Sequence, residues 1–373
     1  MSAKTISGAP LARQRGALTA AFAAAVLVLV AGCSTQYYHE QADREVYSII
    51  SNRAGIVPGM DAAFTLDSPD EASRNGDLPR FTDGAARALT LTEAIMIAAA
   101  HNRDFLRRRE DVYIRALTLT YERYLFAPQF SGALSGLFER EKDHEKAVEG
   151  EVEFGVEQTL PTGGDVALSL SSQFVRFITG DPRETASSLV AFSLTQPLWR
   201  GAGARIAQEN LVQAERNMIY ELRSFVRFRR QFFVSIAADY FAVLQQRNVT
   251  ENEKLNLDNL TAARKRAEML GEAGRVPGFQ VDQTIQNELR ARDRYVQSVR
   301  TYENAIERFT ITLGLPPETP VELDVRELDR LRETALRDFR HTQQEALSLA
   351  LENRLDLANA SDEVADTQRK VKV

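Results

Sequence analysis

The chain has 373 residues, with 46 Lys+Arg against 52 Asp+Glu and a formal net charge of −6. A hydrophobic fraction of 44% beside 26% charged residues excludes global disorder, and the acidic balance argues against a nucleic-acid binder. A single cysteine, Cys33, rules out an internal disulfide and multi-cysteine zinc sites; with no HExxH pattern, phosphate loop or GxSxG elbow, neither an enzyme nor a metal or cofactor is expected.

Residues 1–32 read as a secretory signal. Lys4, Arg13 and Arg15 precede the apolar run Ala17–Val30. That run is shorter than the ~20 apolar residues of a spanning helix. It ends in Val30-Ala31-Gly32-Cys33, which resembles a bacterial lipobox. The resemblance implies that Cys33 becomes the lipidated start of the mature chain, and Ser34 in place of Asp favours the outer membrane. No other segment approaches a transmembrane helix, so a membrane crossing must use strands.

Residues 33–88 form an N-terminal leader. A helix is predicted over Gln41–Asn52, with Val46, Ile49 and Ile50 as its apolar positions, followed by an extended Pro/Gly/Asp/Ser-rich stretch from Gly55 to Gly84. Thr90-Leu91-Thr92-Glu93 is a capping box that opens a helix with the stripe Ala94, Ile95, Ile97 and Ala98. Asn102-Arg103-Asp104 breaks it, and a second helix runs from Asp104 to Phe126, before Pro128.

From Phe130 to Leu198 the period changes to two. Val152, Phe154 and Val156 alternate with Glu151, Glu153 and Glu157, and three further segments alternate in the same way. The middle connection, Leu160–Gly164, is a tight turn, whereas the outer two are longer and polar. That asymmetry is the one expected of an outer-membrane barrel. The alternation by itself fits a soluble sandwich equally well; the signal and lipobox favour the barrel. Pro128 and Pro197 bracket the block and suit strand–helix junctions. Trp199 marks either a membrane interface or a buried packing position.

Residues 207–270 contain neither glycine nor proline and predict one helix of about 96 Å. Its stripe Phe225, Phe232, Ile236 and Tyr240 is for helix packing. Arg223, Arg227 and Arg230 form a solvated or ion-paired face. Gly271, Gly274, Pro277 and Gly278 break the helix, and a return helix over 279–313 stops at Gly314-Leu315-Pro316-Pro317. The pattern then restarts. Thr342-Gln343-Gln344-Glu345 is a second capping box 252 residues after the first. At that offset Ala94 meets Ala346, Ile97 meets Leu349 and Asp104 meets Asp356. Residues 89–338 are thus a first repeat, and 339–373 the start of a second, from which on the order of two hundred residues are expected to be missing.

Four stretches, LTLTEAIMIAAAHN at 89–102, FSLTQPLWRGAG at 192–203, GRVPGFQVDQ at 274–283 and ALSLALENRLDL at 346–357, resemble in this order the TolC-like outer-membrane efflux family. The resemblance implies a mainly α fold with a β-strand block: long antiparallel coiled-coil helices in the periplasm and strands of a transmembrane β-barrel. It implies a homotrimer that acts as a passive conduit, partnered by a periplasmic adaptor and an inner-membrane pump or ABC transporter. Glu151, Glu153 and Glu157 would then line the lumen, and Val152, Phe154 and Val156 would face outer-membrane lipid. Gly274, Val276, Pro277 and Asp282 would form the adaptor-contact tip, unless that turn is a plain helix breaker. The family supplies two membrane strands per repeat and this chain four, so either the barrel is larger or one hairpin lies outside the bilayer. The competing function is a periplasmic adaptor-type coiled-coil lipoprotein that binds a transporter without forming a pore.

Overall fold

The computed structural model describes residues 35–61, 63–66, 88–139, 146–179, 184–334 and 341–372. The signal, Cys33 and most of the Pro/Gly-rich stretch of the leader lie outside them. The described fold is mainly helical with one four-stranded antiparallel sheet. Helix α1 (Thr35–Ala54) extends beyond the predicted 41–52 at both ends, because no breaker interrupts the sequence on either side. After β1 (Ala88–Leu89) come α2 (Leu91–His101) and α3 (Arg103–Tyr124). The sheet follows as β2 (Gln129–Glu139), β3 (Ala147–Thr159), β4 (Asp165–Phe177) and β5 (Glu184–Thr195). A short α4 (Ala204–Ala207) leads into α5 (Glu209–Glu272) and its return α6 (Gly278–Thr312). The chain ends with β6 (Glu322–Leu323), α7 (Arg326–Thr334), α8 (Gln343–Asn353) and α9 (Leu355–Val371).

Local chemistry sets these boundaries. At α2 the Thr90 hydroxyl accepts from the Glu93 amide (3.3 Å) and the Glu93 carboxylate accepts from the Thr90 amide (2.9 Å), so two otherwise orphaned donors are satisfied. The Asn102 side chain then accepts from the amides of Asp104 and Phe105, capping α3 while it breaks α2. Helix α5 has 64 residues and runs through Gly271 to Glu272. It closes with Gly274 at φ +67°, whose amide donates to Gly271 O (2.9 Å) while Arg275 N donates to Leu270 O (2.8 Å). This pair of bonds is the Schellman motif, and glycine adopts its left-handed position without strain. The same pair recurs after α6, through Gly314 at φ +81° and Leu315.

One core joins α1, α2 and α3 to α5 and α6. Val46, Ile50, Ile97, Val112, Leu119, Leu222, Ile236 and Phe309 are among its fully or almost fully buried members. Phe105 sits among Phe225, Phe228, Phe232 and Phe233, with ring centroids 4.9–6.1 Å apart. Rings at such distances add to the gain from apolar burial. Two-residue strands β1 and β6 pair in parallel, and the buried Tyr240 hydroxyl donates to Leu89 O (2.8 Å) beside Asp324 O. Tyr240 therefore belongs to the packing stripe and also ties the entry of α2 to the chain after α6.

The internal repeat is visible in backbone geometry. Thr342 caps α8 at φ −68°, ψ 160°, against φ −77°, ψ 163° for Thr90, with the same reciprocal bonds to Glu345. Packing does not repeat. Ala94, Ile97 and Ala98 are fully buried, whereas α8 has no buried residue and Leu347, Leu349 and Leu351 are exposed. Among the described residues no helix covers α8 as α3 and α5 cover α2.

Candidate functional site: a two-faced sheet on a helical hairpin

The strands form a simple meander, β2-β3-β4-β5. Phe130 faces Val156, Val156 faces Leu168, and Leu168 faces Phe192; Gly132, Phe154, Leu170 and Val190 form the next row. Side chains alternate across a sheet, so these rows share one face. These two rows are apolar across all four strands, with Phe130 71%, Phe154 48%, Val190 67% and Phe192 67% exposed; farther along the same face Ser172 bonds Ser188 (3.1 Å) and, at the loop end, Arg176 pairs with Glu184 (3.3 Å). No described element packs on it. Water alone would make such a patch costly.

The opposite face is polar. Glu149, Glu151, Glu153 and Glu157 stand along β3, beside Ser131 and Ser135 of β2 and Ser169, Ser171 and Gln173 of β4. Leu137, Val175, Phe177 and Leu189 interrupt it, and among the described residues it carries no lysine or arginine. The structure thus brings Glu151, Glu153 and Glu157 together on one face and places Val152, Phe154 and Val156 on the other. Strands of 11–13 residues meet the ~9–11 that a tilted membrane strand needs, and β4–β5 is no shorter than β2–β3.

The turn joining β3 to β4 lies against the base of α5. Thr162 O accepts from Gly203 N (3.1 Å), Pro161 O accepts from Gln208 (3.3 Å), and Gln158 donates to Phe126 O (3.0 Å). Gly163, at φ +86°, is required here: a Cβ would lie 2.9 Å from Gly201 O. Pro128 and Pro197 stand where the chain passes between helix and sheet. Trp199 is 94% exposed, so it is not buried within this chain.

At the far end of the hairpin, the turn brings Gly274, Val276 and Pro277 together, with Asp282 exposed on the first turns of α6. Val276 lines a groove of about 760 Å³ with Ala263, Ala267, Leu270 and Phe279. Deeper in the hairpin, Glu288 is buried against Arg264 and accepts from Thr261 (3.0 Å). Burial raises its carboxyl, but the Thr261 hydrogen bond and the Arg264 and Arg292 charges prevail and hold it below the ordinary range.

The arginine face of α5 is ion-paired, to α9. Arg223 meets Asp362 (2.5 Å), Arg227 meets Asp356 (3.6 Å) and Arg216 meets Asp366. Arg230 instead donates to Pro58 O (3.2 Å). Asp366 is buried and also accepts from Tyr220 (2.6 Å), while Arg369 bridges it to Glu209. Burial raises the Asp366 carboxyl; the bonds from Tyr220 and Gln213 and the two arginines outweigh it and leave its pKa lowered. Sequence reasoning missed this seam: Arg216 and Asp366 lie 150 residues apart, and only the i, i+4, i+7 arginines hinted at a partner.

No helix among the described residues is long and apolar enough to cross a membrane. No described group of three His, Cys, Asp or Glu side chains is placed to hold a metal ion. No family model matches the sequence, and no curated protein matches it. Among solved structures, the chain is similar to a membrane protein from Pseudomonas aeruginosa, with 12% identity, a TM-score of 0.45, and 63% of this chain covering 46% of that one. It is similar to the outer membrane protein VceC from Vibrio cholerae, with 10% identity, a TM-score of 0.44, and coverage of 63% and 49%. It is also similar to CusC, in a study of transmembrane channel formation, with 13% identity, a TM-score of 0.45, and coverage of 66% and 51%. The chain spans about half the length of the solved structures it matches.

Proposed function

We propose that this chain is part of an outer-membrane channel: its sheet is a segment of a transmembrane barrel, and its helical hairpin extends the conduit into the periplasm. The observation that carries this reading is the largely apolar face across four strands of spanning length, left bare by every described element and charged only at its loop end, where Arg176 and Glu184 neutralise each other. Sheets in hydrocarbon must close, because an unpaired ladder edge costs several kcal/mol per group. The outer edges of β2 and β5 are unpaired among the described residues. A further copy of the chain supplies the missing pairing, in the homotrimer implied by the family resemblance, with all four strands in the bilayer. Lipidation at Cys33 holds the assembly to the membrane.

In this reading Val152, Phe154 and Val156 face lipid, while Glu151, Glu153 and Glu157 face the lumen. Pro128 and Pro197 mark the junctions with the periplasmic helices. The Gly274–Asp282 tip, at the distal end of a helix about 96 Å long, meets a periplasmic adaptor that delivers substrate from an inner-membrane pump. The chain performs no bond chemistry; passage depends on pore width and lumen charge.

Protein purified in detergent and reconstituted in planar bilayers should give discrete conductance steps that favour cations. Replacing Glu151, Glu153 and Glu157 together by glutamine should shift the reversal potential in a salt gradient toward zero selectivity. A silent, detergent-independent monomer contradicts the proposal, and sedimentation with the inner membrane would favour the adaptor-type alternative.

A further inference from the structure

The end of the helical layer nearest the sheet carries a concentration of exposed tyrosine. Tyr121 and Tyr124, at the end of α3, are 59% and 53% exposed; Tyr37 and Tyr38, at the start of α1, are 53% and 56% exposed. Between the two helices runs an open groove of about 590 Å³, lined by Tyr38, Ala42, Leu117, Tyr121, Tyr124 and Ala127 together with the polar Gln41, Glu45, Thr120 and Arg123. Ala127 lies two residues before β2, so the groove stands where the chain enters the sheet. On the other side of the sheet sequence, Leu198 and Trp199 follow β5 at 88% and 94% exposure, and exposed Arg200 and Arg205 come next.

These rings have an apolar body and a polar tip, the combination that settles at the boundary between acyl chains and headgroups. The groove is continuous along the chain with strands whose apolar face is proposed to meet lipid. Tyr38 is also no more than about 18 Å of extended chain from Cys33, the residue that would carry the anchor. Arg200 and Arg205 place cations where lipid phosphates would lie.

The geometry points to Tyr37, Tyr38, Tyr121 and Tyr124, with the groove between α1 and α3, as a seat for phospholipid of the periplasmic leaflet. The occupant is a diacyl phospholipid: one acyl chain lies along Ala42 and Leu117, and the headgroup meets the tyrosine hydroxyls. The helical end is thereby sunk into the headgroup layer, with Trp199 at the same depth. This rests on the reading that the sheet crosses the membrane.

Trp199 is the only tryptophan in the chain, so its emission is a depth gauge. Full-length protein is reconstituted in phosphatidylethanolamine/phosphatidylglycerol vesicles whose acyl chains carry bromine either near the headgroup or near the chain end. Native Trp199, and Tyr38→Trp and Tyr121→Trp each in a Trp199→Phe background, should lose at least half their emission with shallow bromine and less with deep bromine. Phe192→Trp in the same background reports the sheet face and should be quenched by deep bromine. If Phe192→Trp is quenched while Tyr38→Trp and Tyr121→Trp are not, the groove serves a second copy or another protein, and the lipid seat is wrong. If none is quenched, the membrane reading itself fails.

Discussion

Gly314 stands in the left-handed region, and a Cβ there would fall on the His101 carbonyl and the Asn102 amide. Gly314→Ala therefore carries both backbone strain and a clash with backbone. Its melting temperature should drop by more than a surface change would cause, corresponding to over ~1 kcal/mol. Thr90→Ala removes one cap bond, at a cost of about 1 kcal/mol. The same change at Thr342 should be felt only locally, as faster amide exchange in α8, because that helix is exposed. Capping boxes and glycine stops were legible in the sequence because their partners lie within a few residues. The Gly314–His101 contact was not, since nothing local joins positions 213 residues apart.

At the scale of elements, the α5–α9 seam is held by charge where the α3–α5 contact is held by apolar packing. The Asp356 pKa is lowered to about 2, first by its hydrogen bond with Arg354, with further help from Arg227. A folded-state pKa below the unfolded value near ~3.9 gives stabilisation that is complete above about pH 4 and fades as pH falls toward 2. Asp366 shifts in the same direction. Acidification through that window should release α9 from Arg216, Tyr220 and Arg227, seen as lost amide protection in α9 while α3 stays protected. Asp366→Asn should show weaker protection already at neutral pH. The strands behave differently: Val190 and Leu189 are neighbours on opposite faces. Val190→Arg on the proposed lipid face should impair membrane insertion by roughly 2–4 kcal/mol, and Leu189→Arg should be tolerated. The strand faces could be read from period two, and the long hairpin from its lack of breakers. The β1–β6 pair could not, because two residues carry no period.

For the whole molecule, the sequence already contained the ordering of helix pair, strand block, long hairpin and restarted cap, since each leaves a local mark. What it could not show is which surfaces remain bare once the chain folds. Among the described residues, the apolar sheet face and the α8 stripe of Leu347 and Leu351 are two such surfaces. The central claim concerns the first, that one side of this sheet meets lipid and the other meets water. Single cysteines placed in turn at positions 149–157 of β3, in protein reconstituted in lipid vesicles and probed with a water-soluble maleimide, test it directly. The account predicts labelling at Glu149, Glu151, Glu153 and Glu157 and protection at Val152, Phe154 and Val156, against the unsubstituted chain as background. Equal labelling of both sets, in lipid and in detergent alike, would contradict it.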